Sequence, residues 1–226
     1  MSPNVVWHTV SLVDVAPTPW RNGGGGTREL VAWPPQGEWR WRMSVAEVTA
    51  SGPFSVFEGV QRWFAVLRGA GVALNIAGTH HTLTTNSAPL NFDGAAPTAC
   101  TLLAGPTQDF NLMVRSPGAR VAERSAQVKE EPAQRAGDTE QNAQPPWLRA
   151  SAEANPARML RLTTPTRIAV DAPKIIAAWA ICTWATARFD QEYIKIPPQS
   201  LAWCLLPQAA EVTVETDGAL WMEIPL

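Results

Sequence analysis

The stretch Glu38-Trp39-Arg40-Trp41-Arg42-Met43-Ser44-Val45-Ala46-Glu47-Val48 alternates large apolar side chains with polar or small ones. The apolar positions are Trp39, Trp41, Met43 and Val45, and the intervening positions are Arg40, Arg42, Ser44 and Ala46. Successive side chains of a β-strand point to opposite faces, so this period of two predicts a strand with one apolar and one polar face.

Similar short segments recur along the chain, separated by Gly and Pro turn signals. In the first half, strands are predicted over residues 62–67, 72–76, 80–84, 90–92, 99–103 and 109–115. In the second half, they are predicted over residues 158–168, 175–186, 193–196, 201–206, 211–215 and 219–224. No convincing amphipathic helix interrupts this series, which indicates an all-β sandwich or barrel.

The chain divides into three parts by composition. Its 226 residues suffice for one large β domain or two small ones. Residues 127–157 are mostly polar and charged, which predicts a linker or mobile loop because such a segment buries little apolar surface. We therefore expect an N-terminal barrel over residues 1–126 and a C-terminal β half over residues 158–226.

A glycine-rich stretch precedes the first strand: Pro19-Trp20-Arg21-Asn22-Gly23-Gly24-Gly25-Gly26-Thr27-Arg28-Glu29-Leu30. Its bare backbone permits positive φ angles and close approach of another group, so it could line a pocket or bind an anion. A flexible hairpin connection is the alternative. A Walker loop is excluded because Thr27-Arg28 replaces the Lys-Ser/Thr that would follow the glycines. A dinucleotide fingerprint is also disfavoured, because a short strand and two prolines follow where a helix should begin.

Several blocks of sequence resemble the HutD/Ves family of small bacterial cupin-like proteins. They are Trp20-Arg21-Asn22-Gly23-Gly24-Gly25 with Thr27 and Glu29, Trp41-Arg42-Met43-Ser44-Val45-Ala46, Gly52-Pro53-Phe54-Ser55 with Phe57, Gly59 and Arg62, Leu67-Arg68-Gly69-Ala70-Gly71, and Phe92-Asp93-Gly94 followed by Leu103-Ala104-Gly105-Pro106 and Asp109-Phe110-Asn111-Leu112-Met113. The resemblance implies a double-layered β-barrel, a bicupin whose C-terminal barrel is degenerate. Members of this family occur in histidine-utilisation operons or carry a stress-protein label.

Polar residues that share one face of a predicted strand define a candidate ligand site. An inward Arg42 and Arg62, together with Asn22 and Asn111, would hold a carboxylate and a neighbouring polar group. The alternative is that these arginines stack outside on Trp41 or Trp63, or pair with Glu47 or Asp109. The full candidate set for ligand binding is Trp20, Asn22, Gly24, Gly25, Thr27, Arg42, Ser55, Phe57, Arg62, Asp109 and Asn111.

Charge and composition disfavour several classes of partner. A net charge of −2 provides no basic surface for nucleic acid. The first residues lack a secretion signal and the apolar run 175–187 is too short to span a membrane, so we expect a cytoplasmic protein without membrane association. Three well-separated cysteines, Cys100, Cys182 and Cys204, are expected to be free buried thiols. A homodimer is possible.

Metal binding and covalent catalysis have little support in the sequence. The three histidines are His8, His80 and His81, and the last two point to opposite faces of a predicted strand. No serine lies in a nucleophile elbow, and no cysteine has an identifiable histidine partner. We therefore expect no metal, no cofactor and no catalytic residue.

The sequence thus predicts a metal-free cupin that senses or buffers a small anionic metabolite. The resemblance implies an intermediate of histidine degradation, such as formylglutamate, an N-acyl amino acid, or urocanate. One alternative is a metal-independent isomerase, epimerase or hydrolase with Asp109 or Glu29 as general base. Another is a stress-associated interaction protein with a vestigial pocket.

Overall fold

The computed structural model describes residues 5–116, 123–124, 157–171 and 173–226. In this part of the chain the regular structure is β, apart from one turn of 3-10 helix at Leu12–Asp14. The strands of the first half are β1 (His8–Ser11), β2 (Thr18–Pro19), β3 (Gly25–Trp33), β4 (Trp41–Val48), β5 (Gly52–Pro53), β6 (Val56–Phe57), β7 (Val60–Arg68), β8 (Val72–Ile76), β9 (Thr79–Leu83), β10 (Leu90–Asp93), β11 (Thr98–Leu102), β12 (Thr107–Arg115) and β13 (Glu123–Arg124).

The second half continues with strands of five to seven residues. They are β14 (Arg158–Leu162), β15 (Thr166–Val170), β16 (Lys174–Ala180), β17 (Ala185–Phe189), β18 (Glu192–Ile196), β19 (Ser200–Leu206), β20 (Ala210–Glu215) and β21 (Ala219–Pro225). The pairings recorded between these strands, and between those of the first half, are antiparallel.

Two pairs of sheets form two units. In the first unit, a six-stranded sheet of order β10-β7-β12-β4-β3-β2 faces a four-stranded sheet of order β5-β11-β8-β9. In the second unit, a five-stranded sheet of order β1-β19-β16-β21-β14 faces a four-stranded sheet of order β15-β20-β17-β18. β6 and β13 form a separate two-stranded ribbon beside the first unit.

The larger sheets of the two units pack against each other through a continuous apolar layer. Trp41, Met43 and Phe110 of the first unit lie in this layer with Trp179 and Leu201 of the second. The rings of Phe110 and Trp179 are 5.5 Å apart between centroids. Alternation along each strand therefore sends one set of side chains into this layer and the other set into the interior of its own unit.

The predicted all-β fold is confirmed, with differences in detail. Residues 158–168 and 175–186 each contain two strands, because turns at residues 163–165 and 181–184 interrupt them. The glycine-rich stretch is partly strand, since β3 begins at Gly25. The prediction that all three cysteines are buried is wrong for Cys182, which is exposed, whereas Cys100 and Cys204 are buried.

The domain boundaries expected from composition differ from the arrangement of the sheets in one respect. β1 lies near the start of the chain but pairs with β19, so the N-terminal strand completes the larger sheet of the second unit. Its register places His8 opposite Trp203, and their rings stack at 5.3 Å. The predicted linker, residues 127–157, lies outside the described residues except for Ala157.

Candidate functional site

The two faces of the six-stranded sheet differ. Polar side chains lie on the face that points into the first unit, and apolar side chains lie on the face that packs against the second unit. Along β12, Asp109, Asn111 and Met113 point into the first unit, whereas Phe110 and Leu112 pack in the layer between the units. The sequence predicts this division into two faces. The polar set faces inward because the opposite face of the same sheet is covered by the second unit.

A cavity of about 680 Å³ opens inside the first unit. Its size is in the range of small-molecule sites, which are concave and carry a few convergent polar groups. It is lined by Thr18, Pro19, Trp20, Arg21, Asn22, Thr27, Glu29, Arg42, Ser44, Ala46, Pro53, Phe54, Ser55, Phe57, Arg62, Asn111 and Met113. Arg42 on β4 and Arg62 on β7 lie on either side of β12, both opposite Met113, and share this cavity with Arg21 of the glycine-rich stretch.

Arg62 is held rigidly at the floor of the cavity and is only 7% exposed. Its Nε and Nη2 both donate to Asn111 Oδ1, at 3.0 and 2.7 Å. Its guanidinium carbon lies 4.5 Å from the centroid of the Phe54 ring, a cation–π contact. Burial, with repulsion from Arg42, lowers the pKa of Arg62 to about 9, so the side chain keeps its charge at neutral pH. Two of its donors are therefore satisfied by a neutral amide.

Arg42 lies nearer the opening of the cavity. Its guanidinium carbon is 5.5 Å from the Trp39 ring centroid and 5.6 Å from that of Phe57. Nη1 is 3.6 Å from Glu29 Oε2, and Nη2 donates to Met113 Sδ at 3.6 Å. Its Nε is buried and has no hydrogen-bond partner among the described residues. Its present partners, a sulfur atom and a distant, half-exposed carboxylate, are weak. The guanidinium can therefore still donate hydrogen bonds to a stronger acceptor.

The two arginines have other aromatic partners than the expected alternatives, and Glu47 has another arginine, whereas the charges of Arg62 and Asp109 do attract each other. Neither guanidinium stacks on Trp41 or Trp63; the rings that they contact belong to Trp39, Phe57, Phe54 and Phe92. Glu47 pairs with Arg28 instead, at 3.1 Å. The strand register explains this difference, because Trp41 and Trp63 point into the layer between the units and the arginines point the other way.

The glycine-rich stretch is fixed to the cavity wall by its own hydrogen bonds. Trp20 Nε1 donates to Thr27 Oγ1 at 2.8 Å, and the Trp20 backbone amide donates to Gly25 O at 2.9 Å. Asn22 Oδ1 accepts from the Gly24 amide at 3.0 Å. The loop therefore presents Trp20 and Asn22 to the cavity in an ordered turn.

A second, smaller cavity of about 210 Å³ adjoins the first. Trp20, Asn22, Pro53 and Phe54 line both cavities and form the wall between them. Gly24 faces only the smaller one. The charged side chains that line only the larger one are Arg21, Glu29, Arg42 and Arg62.

The structure brings most of the candidate site residues together. Trp20, Asn22, Thr27, Arg42, Ser55, Phe57, Arg62 and Asn111 line the larger cavity. Gly24, Gly25 and Asp109 do not. Gly25 lies behind Trp20, where a Cβ atom would be 2.1 Å from Glu47 O and 3.0 Å from Trp20 Cζ3.

The ligand-binding set predicted from the sequence omits several lining residues that the period of two could have identified, although Glu29 is among the candidate general bases. Ser44 lies on the same face as Arg42, and Met113 on the same face as Asn111. Glu29 lies two positions beyond Thr27 on β3. Phe54 precedes Ser55 within a quoted motif, but its place beneath Arg62 depends on a sheet that is distant in sequence.

Asp109 lies completely buried beneath the cavity floor. Thr107 Oγ1 donates to its Oδ2 at 2.8 Å, while Oδ1 has no partner among the described residues. Burial raises the pKa of Asp109 to about 7, and the Thr107 hydrogen bond and the charge of Arg62 offset only part of that effect. The adjacent Cys100 thiol has its pKa raised to about 12, first by burial and then by Asp109.

The histidines lie away from this cavity. His80 and His81 are on β9, an outer strand of the four-stranded sheet, with His80 exposed. Among residues 5–116, 157–171 and 173–226, no group of three His, Cys, Asp or Glu side chains is placed to hold a metal ion. No helix in the described part of the chain is long and apolar enough to cross a membrane.

The fold and the site define a cupin-like β protein with a cationic cavity in its first unit. The sequence model of the HutD family matches residues 13–144, and the chain belongs to that family. An uncharacterized 21.2 kDa protein of the hutC 3' region of Pseudomonas putida is 38% identical over 97 residues, 42% of this chain and 51% of the relative. Protein Ves of Cronobacter sakazakii is 38% identical over 109 residues, 47% of this chain and 60% of the relative. The chain thus spans about half to three-fifths of these curated relatives.

Solved structures share the fold over nearly the whole chain. HutD from Pseudomonas fluorescens SBW25 (formate condition) superposes with a TM-score of 0.70 at 22% identity, covering 97% of this chain and 98% of that one. A mutant of the Bacillus subtilis oxalate decarboxylase OxdC superposes with a TM-score of 0.56 at 11% identity, covering 96% of this chain and 76% of that one. These likenesses establish the cupin-like architecture. The Pseudomonas putida relative associates the family with a histidine-utilisation region.

Proposed function

We propose that the first unit binds a small anionic metabolite and thereby senses or buffers an intermediate of histidine degradation. The observation that carries this proposal is the pair of arginines in one cavity, of which Arg42 retains an unpartnered buried Nε. A carboxylate is the acceptor that best matches a guanidinium, because two parallel N–H···O bonds fit its geometry.

The rest of the lining supports a ligand that has polar and planar groups beside its carboxylate. Asn22, Thr27 and Ser55 line the same cavity and offer amide and hydroxyl groups. Trp20, Phe54 and Phe57 supply flat apolar surface around them. Formylglutamate and urocanate both combine a carboxylate with a planar group, an amide in one and an imidazole-acrylate in the other, and are the first compounds to test.

An enzyme with Asp109 as general base has less support than a binding protein. A general base must reach the proton that it removes, directly or through one water. Asp109 is 0% exposed and does not line the cavity, so its carboxylate does not face a bound molecule. Glu29 does line the cavity, with a side chain 52% exposed, and is the base to consider if turnover is found.

Isothermal titration calorimetry on the full chain tests the proposal. The affinities for N-formylglutamate and for urocanate are each compared with the affinity for the analogue in which a carboxamide replaces the carboxylate. The acid is expected to bind at least about thirty-fold more tightly than the amide, because a desolvated charge-assisted contact is worth about 2–5 kcal/mol. Arg42→Met and Arg62→Met are expected to lose binding to a similar degree. Analysis of the ligand after incubation shows whether it has been turned over.

Arg115→Met is the matched control for Arg42→Met. Arg115 also stacks on Trp39, at 5.3 Å, and pairs with Glu38 Oε2 at 2.6 Å, but it does not line the cavity. Its replacement is expected to leave affinity unchanged. Equal affinity for acid and amide, or wild-type affinity in both cavity variants, would move the site elsewhere and favour an interaction protein.

A further inference from the structure

We propose that Asp109 is a proton-binding residue of this site: it takes up a proton when the cavity takes up a carboxylate, so binding strengthens as pH falls. The inference rests on the proposed function, since it concerns the same cavity. It assigns Asp109 an electrostatic role beneath the floor instead of a contact with the ligand.

The geometry separates Asp109 from the ligand and leaves its carboxylate only partly satisfied. The side chain is 0% exposed and lies two residues before Asn111 on the inner face of β12. Oδ2 accepts one hydrogen bond from Thr107, and the buried Oδ1 accepts none among the described residues. A buried carboxylate with one neutral donor is poorly stabilised in its ionised form, so the protonated form is accessible.

The groups that face Asp109 come from several strands. On its own strand they are Thr107 and Asn111, and β7 contributes Arg62, whose positive charge favours the ionised form. β11 contributes Cys100, whose pKa is raised to about 12, so its thiol is neutral at physiological pH.

β4 places Ala46 opposite Asp109 and carries Arg42 farther along, where it acts on Arg62. The charge near Asp109 in the free protein is therefore that of Arg62 and, at greater distance, Arg42. Neither arginine forms a hydrogen bond to the Asp109 carboxylate among the contacts described.

Binding of an anion changes this balance in one direction. Burial raises the pKa of Asp109 to about 7, so both forms are populated near neutral pH. A carboxylate at the two arginines adds a negative charge on the far side of Arg62, and a like charge raises the pKa of a neighbouring acid further. By linkage, a ligand that raises this pKa binds with proton uptake, and its affinity falls as pH rises through about 7.

Calorimetric titration with N-formylglutamate at several pH values from about 6 to 8.5 tests the inference. The carboxyl groups of this probe have ordinary pKa values of about 4 and stay ionised, whereas the urocanate imidazole titrates in the same window. Repeating each titration in buffers of different ionisation enthalpy counts the protons taken up. We expect wild-type affinity to fall above neutral pH by at most about tenfold per pH unit, the limit for one proton.

Two variants separate proton binding from a structural role. Asp109→Asn is expected to abolish proton uptake and to bind with nearly constant affinity between about pH 6 and 7.5, below the range in which Arg62, with a pKa of about 9, begins to lose its charge. Thr107→Val keeps the shape of the side chain but removes the hydrogen bond that lowers the pKa of Asp109. It is expected to move the midpoint of the affinity profile to higher pH, which decides the question even if Asp109→Asn does not fold.

The outcomes distinguish this inference from the proposed function. Tight binding that is independent of pH and exchanges no proton in the wild-type protein would overturn the role of Asp109 and leave the anion site intact. The pKa of the Asp109 carboxyl can be followed by carbon-13 NMR with and without the probe. If the probe does not bind at any pH and does not change this titration, the proposed function and the coupling are both refuted.

Discussion

The two units of the molecule use similar pairs of sheets for opposite interiors. The second unit is filled by apolar side chains, among them Ile176, Phe189 and Trp221, each 2% exposed or less. The first unit contains an apolar cluster at one end, around Phe64 and Leu74, and the arginine-lined cavity at the other. The larger sheet of each unit presents one face to the layer between the units. The two interiors therefore differ because the side chains on the opposite, inward faces differ.

Each unit also buries a carboxylate, and the two carboxylates have opposite electrostatics. Glu223 accepts from Arg158 Nε at 2.7 Å, Lys174 Nζ at 3.2 Å and Trp221 Nε1 at 3.0 Å. Burial alone would raise the pKa of Glu223, but these donors outweigh it and lower the pKa. Asp109 has one hydroxyl donor, and burial prevails. A buried charge that the protein itself satisfies stabilises a core, whereas one left partly unsatisfied can respond to a ligand.

The largest effect is expected where the satisfied cluster is broken. Glu223→Gln leaves Lys174, which is 6% exposed, without its buried partner, and loss of one member of a buried pair costs about 3–5 kcal/mol. Urea unfolding followed by tryptophan fluorescence measures this loss. Affinity for N-formylglutamate is expected to stay at the wild-type value, because the cluster lies in the other unit.

Glu211→Gln provides the control for that variant. Glu211 pairs with Arg167 at 3.5 Å on the surface of the same unit, with both side chains more than half exposed. Such pairs contribute about 0–1 kcal/mol. A loss of stability in Glu223→Gln no larger than in this control would show that the buried cluster is not a stabilising element.

The two carboxylates are also expected to respond oppositely to pH. The folded-state pKa of Asp109 lies above its ordinary value of 3.8, so folding favours the protonated form and stability from this group is lost as pH rises from about 4 through 7. The free energy of unfolding of Asp109→Asn minus that of the wild type is therefore expected to increase by about 2–4 kcal/mol between pH 4 and 8.

For Glu223 the sign is reversed. Its pKa is lowered on folding, so its contribution is present above the ordinary value of 4.5 and is lost as pH falls. The stability difference between Glu223→Gln and wild type should thus shrink on acidification. Urea unfolding at a series of pH values measures both trends, and a constant difference for Asp109→Asn would contradict the assignment of a raised pKa.

A smaller effect is expected at the glycine-rich wall, where the two central glycines differ. A Cβ at Gly25 would lie 2.1 Å from a backbone oxygen, whereas at Gly24 the nearest atom is Asn22 Oδ1 at 3.4 Å. Gly25→Val is expected to cost about 1–3 kcal/mol and to displace Trp20 from the cavity. Gly24→Val, facing the smaller cavity, should cost less. Thermal unfolding compares them, and equal melting temperatures would show that the loop is a passive connection.

The sequence predicted the strands and the polar face but not which side of the sheet would become the interior. Strict alternation around Arg42 and Asn111 determined which residues share a face. The choice between cavity and outer surface depended on the layer between the units, where Trp41 and Phe110 meet the second half of the chain. That contact is distant in sequence, and no local pattern encodes it.

The role of Asp109 was also beyond the sequence for a physical reason. Its place on the same strand face as Asn111 predicted an inward side chain and, from that, a ligand contact. The structure buries it completely, out of the cavity, where its carboxyl interacts with the charge of Arg62 and with the Cys100 thiol. The burial of one carboxylate depends on the packing of strands from two sheets, which spacing along one strand does not report.

The smallest predicted effect concerns the ion pair at the opening of the cavity. Glu29 lies 3.6 Å from Arg42 and competes with any ligand carboxylate for that guanidinium. Glu29→Gln removes the competing charge, and because a half-exposed pair contributes under about 1 kcal/mol, affinity for N-formylglutamate should rise by about two- to fivefold. Glu47→Gln is the matched control, since Glu47 pairs with Arg28 at 3.1 Å outside the cavity and its loss should leave affinity unchanged. Weaker binding in Glu29→Gln would instead mean that Glu29 contacts the ligand itself, through a donor such as the formamide N–H, and calorimetric titration of both variants distinguishes the two signs.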